Sequence, residues 1–311
     1  MVTLAVCGCS PAAVPAGAPV NATPANAEPA AQAGPPMGNP NAAEVAAGRA
    51  ATGPAEPKCT ALDCRLFDSA GAAFSFVLES KPLVLAMGEA HALKGTEHVE
   101  SSTARFTNQL LPLVAATASD IIIELMEPDR RCLKTTERVR KEQQQVTQSQ
   151  ATTNQNEFVT LGTRAKALGI TPHILYPTCA QYDHIVTAGD DSIFVMLETI
   201  ASLTEQKARA LLERNHEAGV ERTVLLYGGA VHNDLAPRPG RESWSYGPGL
   251  NEVTGGRYVE VDLIVREFIK DTEVWQSQAW YPHFDKTSYQ QQAVLFQPSP
   301  RSFVLIFPTS S

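Results

Sequence analysis

The sequence predicts an α/β fold: a mostly parallel β-sheet with helices on both faces and a C-terminal β-hairpin. Short apolar runs alternate with longer segments of helical periodicity between about residues 82 and 265, which is typical of strands joined by crossover helices. After residue 290 the pattern changes to two apolar runs, 293–297 and 302–307, on either side of the turn sequence PSPR. This spacing predicts a hairpin at one edge of the sheet.

The first elements of the predicted sheet are two buried strands with a helix between them. Residues 82–88 (PLVLAMG) form an apolar run that ends at a glycine, and residues 120–126 (DIIIELM) form a second run. Apolar positions recur at helical spacing over residues 97–118. Pro112 should kink or break this helix, because proline lacks the amide hydrogen and clashes with the preceding turn.

The middle of the chain is more polar. Residues 129–146 are charged and glutamine-rich, as expected of an exposed helix, and residues 143–156 are predicted to form an exposed loop or a mobile lid. A helix over residues 157–168 and a strand over residues 170–176 follow.

Two further helix–strand pairs complete the alternating region. A long helix over residues 192–218 ends at Gly219, and residues 222–228 (RTVLLYG) form a strand. Residues 248–254 are predicted to form a short helix, and residues 258–265 the next strand.

Residues 11–57 are set apart from this domain by their composition. They hold 10 of the 22 prolines, 17 alanines, four charged residues and no aromatic residue. Such a segment cannot bury enough apolar surface to offset the entropy of ordering it, so we expect a disordered tether. Residues 58–311 then form a single α/β domain, about 250 residues long, which is the size of one large domain.

The charge balance limits the classes of partner. The whole chain has a net charge of −8, and the tether contributes three Glu and one Arg to it. The acidic domain carries no basic footprint for nucleic acid. No apolar run of about 18 residues predicts a transmembrane helix.

Residues 1–10 are predicted to be the remnant of a truncated lipoprotein signal. Small and apolar residues lead to Cys9, and Gly8 is the small residue that a lipobox needs before the lipidated cysteine. Because a full signal also needs a basic region and a longer apolar region, the true start is expected upstream of Met1. We therefore expect a bacterial cell-envelope protein, lipidated at Cys9 and held at the outer membrane, facing the periplasm or the surface. The alternative is a cytosolic protein with a chance cysteine pair.

The other four cysteines are predicted to form disulfides. An even number of cysteines in an exported domain favours pairing, and Cys59 and Cys64 are close enough in sequence to close a small loop. Cys132 and Cys179 would then pair across the fold. Neither pair has the CxxC spacing of a zinc site.

The candidate chemistry follows three predicted strands. Because ligands bind outside the carboxyl ends of parallel strands, segments 88–98, 124–129 and 228–234 are the candidate site. They supply acid–base and ligand side chains, which are Glu89, His91, His98, Glu124, Glu127 and His232. Each alone is more often a loop or ion-pair residue, and it is their coincidence at one edge that favours a site.

These motifs resemble those of the superfamily that joins TraB, the Tiki proteases, the haem-binding ChaN lipoproteins and the erythromycin esterases. The similarity lies in strand–Gly88-Glu89-Ala90-His91, in the strand that ends in Glu124, and in Gly228 followed by His232. The spacing of Gly88, Glu89 and His91 is closest to the ChaN-like branch. The resemblance implies the same α/β fold and the same edge as the site, with activities that range from peptide or ester hydrolysis to haem binding.

The sequence therefore supports two alternative hypotheses about the function. The first is a hydrolase of an ester or peptide bond. In its metal-dependent form Glu89, His91 and His232 bind a divalent metal with Glu124 nearby, and in its metal-free form His91 or His232 activates water. The second is a ChaN-like lipoprotein that binds haem or another ligand through His91, His98 or Tyr246. A domain whose edge residues form only ion pairs is the third interpretation.

Overall fold

A computed structural model describes Val2, Thr3, Cys59–Glu127 and Asp129–Ser310. The strands of this described part form one nine-stranded sheet in the order β1-β4-β6-β3-β7-β9-β8-β2, with β5 also paired to β4. The strands are β1 Val2–Thr3, β2 Arg65–Phe67, β3 Val84–Glu89, β4 Ala118–Met126, β5 Thr171–Leu175, β6 Thr223–Gly229, β7 Tyr258–Ile264, β8 Ala293–Ser299 and β9 Ser302–Ile306.

The centre of the sheet is parallel, and its antiparallel pairs are β1 with β4, β8 with β9 and β2 with β8. Strand β3 lies between β6 and β7 and is parallel to both, β4 is parallel to β5 and β6, and β9 is parallel to β7. Strands β8 and β9 form the antiparallel hairpin, and β2 extends it. Because the central strands are covered on both faces, they consist almost entirely of apolar residues. The predicted fold class is confirmed.

One face of the sheet is covered by the helices near the beginning of the domain and by α5. These are α1 Ala70–Leu78, the helical segment from Ser102 to Val114 (α2 Ser102–Arg105, a π-helical turn Phe106–Leu110 and α3 Leu111–Val114), and α5 Asn154–Ala167. Their buried residues, such as Phe74, Phe106 and Phe158, share a core cluster with the side chains on that face of the sheet.

The opposite face is covered by α4 Leu133–Thr147, α6 Cys179–Thr187, α7 Ser192–Glu217 and α8 Gly247–Val253. Their side chains form a second core cluster, to which Tyr182, Ile200 and Leu250 contribute. A third cluster lies around the hairpin, where Trp280 packs on Phe296. Short helical turns and α9 Glu273–Gln276 complete the chain between β7 and β8.

Pro112 shapes the helix before β4 without ending it. The amide of Leu111 donates to the carbonyl of Phe106, five residues earlier, and this wider π turn directly precedes the proline. Proline has no amide hydrogen to donate to the carbonyl four residues earlier. The extra residue in the π turn changes the hydrogen-bond pattern just before this position, so the helix accommodates the missing bond. The structure shows a π turn at the place where Pro112 predicted a kink or break, and the helix continues to Val114.

The loop predicted over residues 143–156 is shorter in the structure and covers residues 148–153. Residues 143–147 belong to α4, and α5 begins at Asn154. The short connection is held by the backbone of the loop after β3, because the amide of Ala151 donates to the carbonyl of Ala92 and that of Lys94 to Ser149. Backbone pairing and burial of Ala151 therefore fix a segment whose polar composition indicated exposure.

Both predicted disulfides are present, Cys59–Cys64 and Cys132–Cys179. No helix in the part of the chain that the structure describes could cross a membrane. Cys9 and residues 11–57 lie outside the described residues, so the lipid anchor and the tether stay predictions.

Candidate functional site

The candidate site lies where β3, β4 and β6 end. Glu89 is the last residue of β3, Glu124 lies near the end of β4, and His232 follows β6 by three residues. The loops after β3 and β6 are joined directly, because the amide of Ala230 donates to the carbonyl of Glu89. The amide of His232 donates to the Gly229 carbonyl, which closes the turn that carries this histidine. Parallel pairing therefore brings the three sequence segments to one edge.

Two glycines allow the close approach that this edge requires. Gly88 and Gly228 lie opposite each other on β3 and β6. A Cβ atom at Gly88 would lie 2.7 Å from the Cα atom of Ala230, and one at Gly228 would overlap the Glu124 side chain. The glycines thus leave room for the site's own side chains and backbone.

Glu89 is the centre of a buried hydrogen-bond network. Its Oε1 atom lies 2.6 Å from Nδ1 of His91, and its Oε2 atom accepts hydrogen bonds from the hydroxyls of Thr103 at 2.7 Å and Tyr227 at 2.5 Å. Because a carboxylate oxygen only accepts, we assign the imidazole proton to Nδ1. The Nε2 atom of His91 is then a lone-pair acceptor, and it is buried without a partner.

His232 is oriented by a backbone group instead of a carboxylate. Its Nδ1 atom lies 2.7 Å from the carbonyl oxygen of Trp244, which accepts, so Nδ1 carries the proton. Burial lowers the pKa of His232 to about 4, with the hydrogen bond to Trp244 opposing this and the charge of His91 adding to it. This histidine is therefore neutral at pH 7, with Nε2 a buried acceptor that has no partner.

Glu124 faces His232. One carboxyl oxygen accepts from the amide of Gly229 at 2.7 Å, and the other lies 3.8 Å from His232 Nε2 and has no hydrogen-bond partner. Burial raises the pKa of Glu124 well above its ordinary value; the Gly229 amide lowers it, and the neighbouring charge of Glu89 raises it further. A carboxyl group in this environment favours the protonated form.

A small cavity lies beside Glu124, between the sheet and α7. It has a volume of about 10 Å³ and is lined by Glu124, Tyr227, Tyr246 and Thr204, among others. This is close to the minimum volume that holds one water molecule, and its wall includes polar groups.

The site is closed to solvent. Glu89, His91, Glu124 and His232 expose between 1% and 4% of their surface. The ring of His91 contacts Phe158 of α5 edge-on, at 6.2 Å between centroids. A ligand can therefore reach these side chains only when a covering segment moves.

The structure does not bring every predicted residue together. His98 is exposed, and the neighbouring Glu97 accepts from the amide of Gly95. Glu127 is half-buried, and its backbone amide pairs with Leu175 at the end of β5. Tyr246 does line the cavity beside Glu124, as a buried side chain whose pKa is raised by burial.

Sequence reasoning missed Thr103 and Tyr227, the two hydroxyl donors to Glu89. Tyr227 could have been found, because it directly precedes the glycines at the end of the apolar run RTVLLYG. Thr103 carried no such signal, since its place depends on how α2 packs on the sheet.

Some of these side chains have the chemistry of ligands for a divalent metal. The Nε2 atoms of His91 and His232 are buried acceptors without donors, and Glu124 Oε1 is buried without a partner and becomes an acceptor when the carboxyl group loses its proton, so the set suits a cation chemically. However, no group of three or more His, Cys, Asp or Glu side chains among the described residues is arranged to hold one.

A scan of the chain against protein-family models finds no matching family, and searches of curated proteins and of solved structures find no match either. The function is therefore argued from the geometry of the site itself.

Proposed function

We propose that this protein is a hydrolase of an ester or peptide bond, with His91 as the general base and Glu124 as the general acid. The observation that carries the proposal is the Glu89–His91 hydrogen bond, which leaves Nε2 of His91 free at the same edge as a carboxyl group of raised pKa. A buried imidazole nitrogen with a lone pair can take a proton, and a carboxyl group whose pKa is raised can donate one, so the two side chains supply a base and an acid.

His91 suits the role of base because Glu89 both orients the ring and stabilises the charge that it would acquire. In the proposed step, Nε2 takes a proton from a water molecule as the water oxygen attacks the substrate carbonyl. The imidazolium formed keeps its hydrogen bond to the Glu89 carboxylate, which is a charge-assisted bond and stronger than the neutral one.

Glu124 suits the role of acid because burial raises its pKa and so favours the protonated form. When the carbonyl–oxygen or carbonyl–nitrogen bond breaks, Glu124 donates that proton to the leaving group. The proton held by His91 then returns to Glu124 through solvent, which restores the starting state. His232 acts as a positioning residue, since its neutral Nε2 can accept a hydrogen bond from the Glu124 carboxyl or from water between them.

The metal-dependent hydrolase and the haem-binding protein also stay proposals, and fewer features of the site support them. The metal-dependent form requires His91, His232 and a carboxylate of Glu89 or Glu124 to surround one ion, and the described residues contain no group of three or more side chains arranged in this way. Haem binding requires an open apolar pocket beside an axial ligand, whereas His91 and Tyr246 are buried and His98 is exposed. Membership of the TraB–Tiki–ChaN–erythromycin esterase group and a lipid anchor at Cys9 are proposals of the same kind.

A screen of ester and peptide substrates tests the function, with metal and haem content measured on the same preparation. We expect turnover that survives a chelator. His91→Ala should lower kcat about a hundredfold or more, and Glu124→Gln should lower it to a similar extent, because positioned acid–base groups contribute roughly 10²–10⁴-fold.

The matched control is His98→Ala, which removes an exposed histidine from the same loop and should leave kcat unchanged. Turnover that is lost in chelator and restored by a divalent metal would favour the metal-dependent form. A haem absorption band would favour the binding protein. No turnover of any substrate, with no metal or haem bound, would leave the purely structural interpretation.

A further inference from the structure

A polar groove lies next to the segment that carries His91. It has a volume of about 480 Å³, which is within the range of small-molecule sites. It is formed by the end of α4, the start of α5 and the loop after β3. Its lining side chains are Lys94, Arg140, Gln143, Gln144, Thr147 and Asn154, among others.

The groove is directly connected to the proposed catalytic loop. Ala92, the residue after His91, accepts hydrogen bonds from the amide of Ala151 at 2.9 Å and from the side chain of Asn154 at 3.0 Å. Asn154 lines the groove, and Phe158 one turn later in α5 contacts the ring of His91. A ligand in the groove would therefore lie against the loop and the helix that cover the base.

The groove carries donors and positive charges that suit an anion with several acceptor oxygens. The side chain of Gln143 is buried, and its Nε2 donor has no hydrogen-bond partner. A buried donor without an acceptor is costly, so a native structure that retains one requires an explanation. Lys94 and Arg140 add two positive charges, and the groove lining that the structure describes includes no acidic side chain. This is a local reversal of sign in a chain of net charge −8.

The remaining lining groups indicate what surrounds the anionic group. Asn154 and Thr147 already donate to backbone carbonyls, at Ala92 and Gln143. The side-chain amide of Gln144 and the hydroxyl of Thr152 each have donor and acceptor capacity, which suits a ligand with hydroxyl groups. We propose that the groove binds the substrate of the hydrolase proposed above, through a carboxylate or phosphate on a hydroxyl-rich, sugar-like unit. The role as substrate site rests on the proposed function, whereas the binding itself does not.

Calorimetric titration of the full chain tests the binding, with glucuronate, glucose 6-phosphate and glucose as probes. At least one of the two anions should bind about tenfold more tightly than glucose. Preference for glucuronate assigns a carboxylate, and preference for the sugar phosphate assigns a phosphate. Equal binding of all three, or binding of none, would overturn the proposal.

Variants locate the site. Gln143→Glu replaces the unpartnered donor with a carboxylate of nearly the same shape, and Lys94→Gln with Arg140→Gln removes both charges. Each change should weaken the anion about tenfold. Arg138→Gln, which removes an exposed charge from the same helix outside the groove, is the control and should bind normally. Melting curves confirm that each variant is folded, and anion binding that resists both changes would contradict the assignment.

Failure of this inference and failure of the proposed function give different results. Anion binding in the groove without any turnover that depends on His91 would retain the site and reject the hydrolase. Turnover that depends on His91, together with no anion binding, would retain the hydrolase and reject the anion site. His91→Ala should leave the affinity for the anion unchanged.

Discussion

At the scale of single residues, Glu89 connects three parts of the fold. Its donors are His91 in the loop after β3, Thr103 on α2 and Tyr227 on β6. Both hydroxyls bind the same carboxyl oxygen, and the imidazole binds the other. The carboxylate therefore fixes the tautomer of His91 independently of its role in holding α2 and β6 together.

Because the two carboxyl oxygens of Glu89 bind different donors, the variant Glu89→Gln should affect them differently. The amide oxygen of glutamine can replace Oε2 as the acceptor for Thr103 and Tyr227, and the amide NH₂ then faces His91. Because NH₂ is a donor, the imidazole proton should move from Nδ1 to Nε2 and the base should be lost. We expect kcat to fall about a hundredfold or more, with the tautomer change visible in the ¹⁵N NMR shifts of the His91 ring.

The fold of the Glu89→Gln variant serves as its own control, since both hydroxyl bonds are kept. A variant that retains the original tautomer and normal turnover would contradict the assignment of His91 as base. Unfolding of the variant would instead show that the charge of Glu89 is needed for stability.

At the scale of elements, the packing of β6 against β4 depends on Gly228. A methyl group at Gly228 would lie 2.9 Å from Cβ of Glu124 as well as overlapping its carboxyl group, so a shift of the carboxyl group alone would not relieve the overlap. Gly228→Ala should therefore lower the free energy of unfolding by about 1–3 kcal/mol, the usual cost of overpacking. Urea denaturation measures this difference.

Gly162→Ala is the control for that measurement. Gly162 lies inside α5, where an added methyl would make only an ordinary contact with the Ile123 side chain, 3.4 Å away. Because alanine favours a helix over glycine by about 0.5–1 kcal/mol, this variant should be as stable as the parent or more so. Equal losses in the two variants would show that the close approach at Gly228 is not specific.

Some helices and strands could be predicted from the sequence, and others could not. The strands β3, β4, β6 and β7 were predictable, because a strand buried on both faces is mostly apolar and the few acidic residues in these strands do not interrupt the pattern. Helix α6 was missed, although the capping box of Thr178 and Gln181 marks its start. Strand β2 has three residues and carries too little pattern to be recognised. The edge that carries Glu89, Glu124 and His232 followed from the parallel sheet, whereas the buried Gln143 and the exposed His98 depend on tertiary packing.

At the scale of the whole molecule, the Cys132–Cys179 disulfide joins distant parts of one face of the sheet. It links the residue before α4 to the first residue of α6, across 47 positions of sequence. Closing a loop of this length restricts the unfolded chain, and the chain-entropy relation gives about 4 kcal/mol as an upper value. We expect Cys132→Ser with Cys179→Ser to lose about 2–4 kcal/mol of unfolding free energy in urea.

Cys59→Ser with Cys64→Ser is the comparison, because that disulfide spans only five positions. The shorter loop should contribute about 2 kcal/mol or less by the same relation. A larger loss from the short loop than from the long one would show that native packing around Cys59, and not loop closure, dominates its effect.

The burial of Glu89, His91, Glu124 and His232 has a kinetic consequence. If the chemistry occurs at these side chains, a substrate meets them only during the intervals when the loop after β3 or helix α5 is displaced. The frequency of these intervals then sets a ceiling on turnover, however fast the bond-breaking step is. Turnover would then depend on solvent viscosity as long as the bond-breaking step is faster than the opening, and this dependence would disappear in variants that lack the base, because the chemical step becomes the slower one.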